Sequence, residues 1–247
     1  MTPADWTPEE YGDAWAPVYD RFHDPKLDTE TAVEALARLA GEGRVLEFGI
    51  GTGRLALPLA ARGLEVHGID ASQAMVARLR AKPGGGHIPV VIGDFAQARA
   101  EGRFDLVLLA FNTLFNLPSQ DAQCRCFANA AGHLTRRGAF VVEAFVPDLR
   151  RFHDDQSVRA EEIDDQNVVL EVARHDPVNQ QVVSARVMID DGVQTRLVKI
   201  RYAWPSEIDL MARLAGLGLA ERWGGWSGEP FTRESPTHIS VYRGLRR

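Results

Sequence analysis

Val45-Leu46-Glu47-Phe48-Gly49-Ile50-Gly51-Thr52-Gly53-Arg54-Leu55 decides how the rest of the chain is read. An apolar run of strand character passes straight into three alternating glycines, and helical character follows. Glycines serve a tight turn there and let backbone approach a ligand with no Cβ in the way. A plain strand-to-helix connection would not need three of them, because each adds an entropic cost. In open α/β sheets ligands bind outside the carboxyl ends of the strands, where the strand order reverses, and this loop sits at such an end.

Upstream, Val33, Leu36, Ala37 and Leu39 recur at helical spacing, with Asp28 or Thr29 available as cap. Downstream, residues 65–69, 90–92, 104–109 and 139–145 continue the strand series begun at 44–48, each separated from the next by helical character or a loop. Their Val- and Leu-rich runs suit strands covered on both faces, so the expected fold class is α/β, a mostly parallel sheet wrapped by helices. After Phe145 the rhythm changes. Residues 167–175, 181–189 and 193–204 read as strands joined by the turns Pro177-Val178-Asn179-Gln180 and Asp190-Asp191-Gly192, a small antiparallel insertion. Pro205 opens a helix with Ile208, Met211, Leu214 and Ala215 on one face, ended by Gly216 or Gly218. Residues 219–223 and 239–243 suit a final hairpin at the sheet edge. The division that follows is 28–146 with 205–247 as the ligand-binding domain, 1–27 as a lid segment, and 147–204 as an insertion for lid, substrate or dimer contact.

The chain has 247 residues, 45% of them hydrophobic and 25% charged, which is the composition of an ordinary globular protein. Its net charge of −6 argues against a surface built to neutralise phosphates, so nucleic acid is not an expected partner. The first ten residues are polar and acidic, and no stretch approaches the roughly 18 apolar residues of a membrane span, so a cytoplasmic protein without membrane contact is expected. Cys124 and Cys126 stand two apart in helical sequence, which points them to different faces, and neither a disulfide nor a metal site is expected.

Two residues bear on the ligand. Arg54 occupies a position where the dinucleotide fingerprint wants glycine, which serves a pyrophosphate poorly. Glu47, two residues before Gly49, suits a cationic portion such as the α-ammonium of a methionine moiety. The balance tips toward S-adenosylmethionine over NAD. Asp70 ends the second strand and can accept hydrogen bonds from both ribose hydroxyls, or simply cap the helix after it. Asp94 can take the adenine amine, with Phe95 as an apolar wall, or likewise cap its own segment. Ala110, Phe111 and Asn112 follow the fourth strand, near where a reacting methyl would lie.

These residues, in this order over 44–145, resemble the S-adenosylmethionine-dependent methyltransferases with a seven-stranded Rossmann-like sheet and helices on both faces. The insertion after the fifth strand and the Pro205 helix are similar to the small-molecule branch that includes aminosugar N,N-dimethyltransferases of antibiotic pathways. The resemblance implies cofactor contacts from Gly49, Gly51, Thr52 and Gly53, from Asp70 and Asp94, and from Met75 in Asp70-Ala71-Ser72-x-x-Met75, packing on the adenine. It also implies that Val18-Tyr19-Asp20 closes over the cofactor, although Tyr19 suits a core aromatic equally. The expected activity is N- or O-methylation of a small molecule, by a monomer or homodimer. An NAD(P)-dependent oxidoreductase and a non-catalytic nucleotide-fold module stand as alternatives. An amine acceptor needs only to be neutral and aimed, whereas an oxygen acceptor needs a base, for which His153, His175, His238 and Glu143 are candidates. Glu143, in an apolar strand, suits a structural hydrogen-bond role as well as a substrate contact. Trp204, Trp223, Trp226 and Phe231 suit either an aromatic acceptor pocket or core packing.

Overall fold

The computed structural model describes residues 7–23, 28–164, 167–189 and 192–245. Part of the expected lid segment, residues 1–6 and 24–27, and most of the expected turn at 190–192 lie outside them. The N-terminal segment forms α1 (Pro8–Trp15) and α2 (Tyr19–His23). At the start of α1, Thr7 accepts from the Glu10 amide while the Glu10 carboxylate accepts from the Thr7 amide, a reciprocal cap that satisfies two otherwise orphaned donors. Helix α3 (Thr29–Ala40) begins four residues before Val33, the first of the spaced apolar positions, and Asp28 is the residue that caps it.

Next come β1 (Val45–Phe48), α4 (Ala56–Ala61), β2 (Val66–Asp70), α5 (Gln73–Ala81), β3 (Val90–Ile92), β4 (Phe104–Leu109), α6 (Gln120–His133) and β5 (Leu134–Phe145). After the insertion come α7 (Pro205–Leu214), β10 (Leu217–Trp223) and β11 (Thr237–Gly244). The main sheet has seven strands in the order β10-β11-β5-β4-β1-β2-β3. Pairing is parallel from β5 to β3, while β11 runs antiparallel to both β5 and β10. All four residues of β1 are buried, as its central place demands. Apolar layers cover both faces. Leu36 of α3 and Leu59 of α4 belong to one, and Phe127 of α6 and Met211 of α7 to the other. The strand order reverses between β1 and β4, so the glycine loop and the loop after β4 face each other at the switch point.

Three expectations need correction. The insertion is a separate sheet of four strands, not three: β6 (Gln156–Ile163), β7 (Val168–Asp176), β8 (Gln181–Ile189) and β9 (Val193–Arg201), all antiparallel. Strand β6 lacks an apolar alternation because it is an edge strand, held by its backbone ladder and carrying Arg159, Glu161 and Glu162. Strand β9 stops at Arg201, since Pro205 already opens α7 and Trp204 serves as its N-cap. Leu214 is 80% exposed, so the buried face of α7 is Ile208, Met211 and Ala212. Gly216, at φ +77°, follows that helix in the left-handed conformation that commonly stops one. No helix among the described residues is long and apolar enough to cross a membrane.

Candidate active site

Gly49, Gly51 and Gly53 have φ of +68°, +55° and +85°, backbone that side-chain-bearing residues rarely adopt. Asp70 clamps the loop. Its Oδ2 accepts from the Gly51 amide at 2.7 Å and its Oδ1 from the Ser72 amide at 2.8 Å, tying the turn after β1 to the start of α5. Burial raises the Asp70 pKa, against the pull of those two amides. Beneath the loop lies Glu47, 5% exposed, with Oε2 lacking any hydrogen-bond partner among the described residues. Burial pushes its pKa up to about 8, opposed by Arg54 and assisted by the negative charge of Asp70. Arg54 donates to Thr29 Oγ1 at 3.2 Å, with its guanidinium 5.7 Å from the Phe111 ring centre.

The N-terminal helices lie across this crevice. The Thr52 hydroxyl donates to Asp20 at 2.5 Å, and Lys82 joins the same carboxylate at 2.9 Å and the Thr52 carbonyl at 3.0 Å. One helix earlier, Asp13 accepts from the Ser72 hydroxyl at 2.6 Å. Under this cover sit two small cavities of about 50 and 30 Å³. Tyr19, Gly49 and Gly51 line both. Asp70, Ala71, Met75 and Phe95 line the first, and Glu47, Thr52, Ala110 and Phe111 the second. Of the expected cofactor contacts, Gly53, Asp94 and Asn112 line neither. Gly53 abuts Leu79, where an added Cβ would clash. Asp94 accepts from the Ala96 amide at 2.8 Å and the Gln97 side chain at 3.1 Å, as a turn cap.

Asn112 instead faces a third cavity of about 370 Å³, bounded by α1, the loops after β4 and β5, and one face of the four-stranded sheet. Phe111 and Asn112 stand where this cavity meets the crevice, both left-handed at φ 51° and 62°. Two consecutive non-glycine residues in that region store about 1–3 kcal/mol each and persist only where surroundings impose them. Glu143 imposes them here. Its Oε2 accepts from the Phe111 amide at 2.7 Å, its Oε1 from the Trp226 indole at 2.9 Å, and its carbonyl from the Asn112 amide at 3.0 Å. Asn112 Oδ1 in turn accepts from the Phe145 amide at 2.6 Å.

The expected bases do not gather at this junction. His153 is exposed in a turn, and His238 is wholly buried, bonded to Ser240, with its pKa pushed down to about 4 by burial and nearby Arg222. Neither lines the cavities described above, and His175 instead bonds the Tyr202 hydroxyl at 2.9 Å. Glu143 has both carboxylate oxygens engaged with the frame. Trp204, Trp223 and Phe231 lie outside the large cavity's lining, and Trp226 supports Glu143. Thr113, in the stretch after the fourth strand, and Tyr11 and Asn116, which the sequence did not single out, each line two of the three cavities. The Thr7-x-x-Glu10 cap signature announces the helix that carries Tyr11.

A family profile described as a methyltransferase domain matches residues 45–138. The solved CcbJ methyltransferase from Streptomyces caelestis superposes with a TM-score of 0.90 and is 38% identical, over 98% of this chain and 100% of that one. The chain belongs to the S-adenosylmethionine-dependent methyltransferases. The methyltransferase is also 29% identical over 241 residues to the cypemycin N-terminal methyltransferase of a Streptomyces species, covering 88% of this chain and 98% of that protein. Its fold further matches S-adenosylmethionine-bound CalS10, an amino pentose methyltransferase from Micromonospora echinaspora, at a TM-score of 0.69 and 20% identity. Membership of that family, shown by the 38% identical relative, gives S-adenosylmethionine as the methyl donor, and the oxidoreductase and non-catalytic alternatives fall away.

Proposed function

We propose that this enzyme methylates an amine nitrogen of a small molecule held in the 370 Å³ cavity, with the cofactor in the crevice over the glycine loop. The donor set fits that cofactor. The orphaned Glu47 oxygen, buried beside Gly49 and Gly51, matches the ammonium of its methionine portion. Asp70 keeps lone pairs for the ribose hydroxyls, and Met75 and Phe95 offer apolar walls to the adenine. Bound S-adenosylmethionine supplies a methyl on a positively charged sulfur, already a potent electrophile. What remains for the protein is alignment and exclusion of water. Phe111 and Asn112 hold the junction in one conformation, and Tyr11 and Tyr19 cover it. The small cavities have room for only a few waters, so admission of a nucleoside requires the 7–23 segment to lift from Thr52 and Ser72. Residues 28–146 and 205–247 thus act as the cofactor domain, with 7–23 as lid and 147–204 walling the acceptor.

The observation that carries the amine reading is Glu143, the carboxylate nearest the junction in the frame, with both oxygens committed to Phe111 and Trp226. Among the described residues lining the cavity there is no histidine, and its two carboxylates pair with arginines, Asp148 with Arg150 and Glu171 with Arg151. A neutral amine needs no base, and an oxygen nucleophile does. The name of the cypemycin relative, an N-terminal methyltransferase, agrees with this choice. The test offers the purified chain methyl-labelled S-adenosylmethionine and matched amine and phenol acceptors on one skeleton. Label should enter the amines with a rate that rises as their ammonium form deprotonates, the phenols reacting ~100-fold more slowly for want of a base. Equal or faster transfer to the phenols would overturn the amine assignment.

A further inference from the structure

The four-stranded sheet turns one face to the large cavity, and that face carries a charged ladder. Arg159 of β6 pairs in register with Glu171 of β7, Glu171 with Arg186 of β8, and Arg186 with Arg196 of β9. Residues directly opposite one another leave the same face, so Glu171 has an arginine opposite it on each neighbouring strand. Arg159, Glu171 and Arg186 line the cavity, and Arg151 approaches Glu171 from the loop after β5 at 3.4 Å.

Among the described residues two guanidiniums on this wall lack a carboxylate partner, Arg159 and Arg196, and Arg196 does not line the cavity. Arg186 pairs with Glu161 at 2.8 Å and lies 5.6 Å from the Trp15 ring centre, and Arg196 donates to the Ala14 carbonyl at 2.6 Å. Glu171 is already engaged by Arg151. The Arg159 side chain makes no hydrogen bond or ion pair among the described residues. The wall therefore carries one unneutralised guanidinium facing the acceptor space. A planar fork of donors is matched best by a planar pair of oxygens.

We propose that the acceptor is an amine that also bears a carboxylate, received by Arg159 while the nitrogen is presented at the Phe111–Asn112 junction. The proposal rests on the amine reading for its reacting end, but the anion site stands on the charged wall alone.

The experiment separates the two. The probes are L-alanyl-L-alanine against its C-terminal amide, and L-proline against L-prolinamide. Each is titrated by calorimetry into the full chain saturated with S-adenosylhomocysteine, wild type and Arg159→Gln, and each is then assayed for methyl transfer with S-adenosylmethionine. The free acids should bind about tenfold more tightly than the amides, the size expected of one solvated charge-assisted pair. Arg159→Gln should erase that difference while leaving the amides' affinity and S-adenosylhomocysteine binding in place. An Arg159→Lys variant, which keeps the charge but loses the fork, should retain part of the preference. Amides binding as well as acids, a preference that survives Arg159→Gln, or binding of neither member would each overturn the anion site. Acids that bind through Arg159 yet receive no methyl on nitrogen would leave that site standing and remove the amine reading instead.

Discussion

Replacing Glu47 with glutamine is expected to weaken S-adenosylhomocysteine binding about 10- to 100-fold at pH 7.5 while making the ligand-free protein more stable at the same pH. Both effects come from one buried carboxyl. Its pKa is pushed up to about 8 by burial, against an ordinary value of 4.5, so the ligand-free fold holds it neutral across most of the range between. The unfolded chain ionises it near 4.5. Between those values the folded state binds one more proton than the unfolded state, so this group's contribution is fully present below about pH 4.5 and is lost as pH rises through 8. That loss is on the order of a few kcal/mol, and glutamine, which does not titrate, removes it. Binding runs the other way. A cationic ligand group needs the ionised form, so wild-type affinity should climb from pH 6 to 7.5, and a charge-assisted hydrogen bond contributes about 1.5–3 kcal/mol. Urea unfolding and calorimetric titration over that pH range read the two slopes. Flat wild-type affinity, or a glutamine variant that binds as well as wild type, would remove Glu47 from the cofactor site.

Gly49→Ala is the second large effect. At φ +68° an alanine incurs about 1–2 kcal/mol of left-handed strain, and its Cβ would stand 2.6 Å from Thr113 Cγ2. Relieving that contact moves the loop after β4, the one Glu143 holds in place, at about 1–3 kcal/mol more. The sum, about 2–5 kcal/mol, should lower the urea midpoint sharply. Since Gly49 lines both small cavities, S-adenosylhomocysteine binding should fall below detection. Gly51→Ala is the internal comparison. Its φ is +55°, but nothing lies closer to the added Cβ than the Gly49 carbonyl at 3.9 Å, so only the strain remains. If the two variants unfold at the same urea concentration, the close approach to Thr113 does not matter.

The contrast between these glycines shows what local pattern carries and what it does not. Residues 45–55 announce a strand, a turn and a helix because burial, positive φ and helical spacing are written in consecutive positions. Glu47 and Asp70 were legible for the same reason, as carboxylates at the ends of buried strands. Strand β6 was not. Its pairing with β7 is a backbone property, and charged residues on an exposed edge give no apolar alternation to read. Long-range contacts were equally silent. The bonds of Asp20 to Thr52 and of Asp13 to Ser72 join residues 32 and 59 positions apart. Glu143 is the most instructive case. Sequence left it between frame and chemistry, and only the folded chain brings the Phe111 amide and the Trp226 indole to its two oxygens. His153 and His238 were candidates by residue type alone, and type does not say that one ends exposed and the other sealed beside Ser240.

In the proposed arrangement one crevice holds the cofactor and opens through Phe111 and Asn112 onto the acceptor cavity. A crystal structure of the protein with S-adenosylhomocysteine tests it most directly. The amino group should lie within hydrogen-bond reach of Glu47, the ribose hydroxyls on Asp70, and the sulfur turned toward the 370 Å³ cavity. A ligand bound with its sulfur facing away from that cavity, or with neither carboxylate in contact, would contradict it.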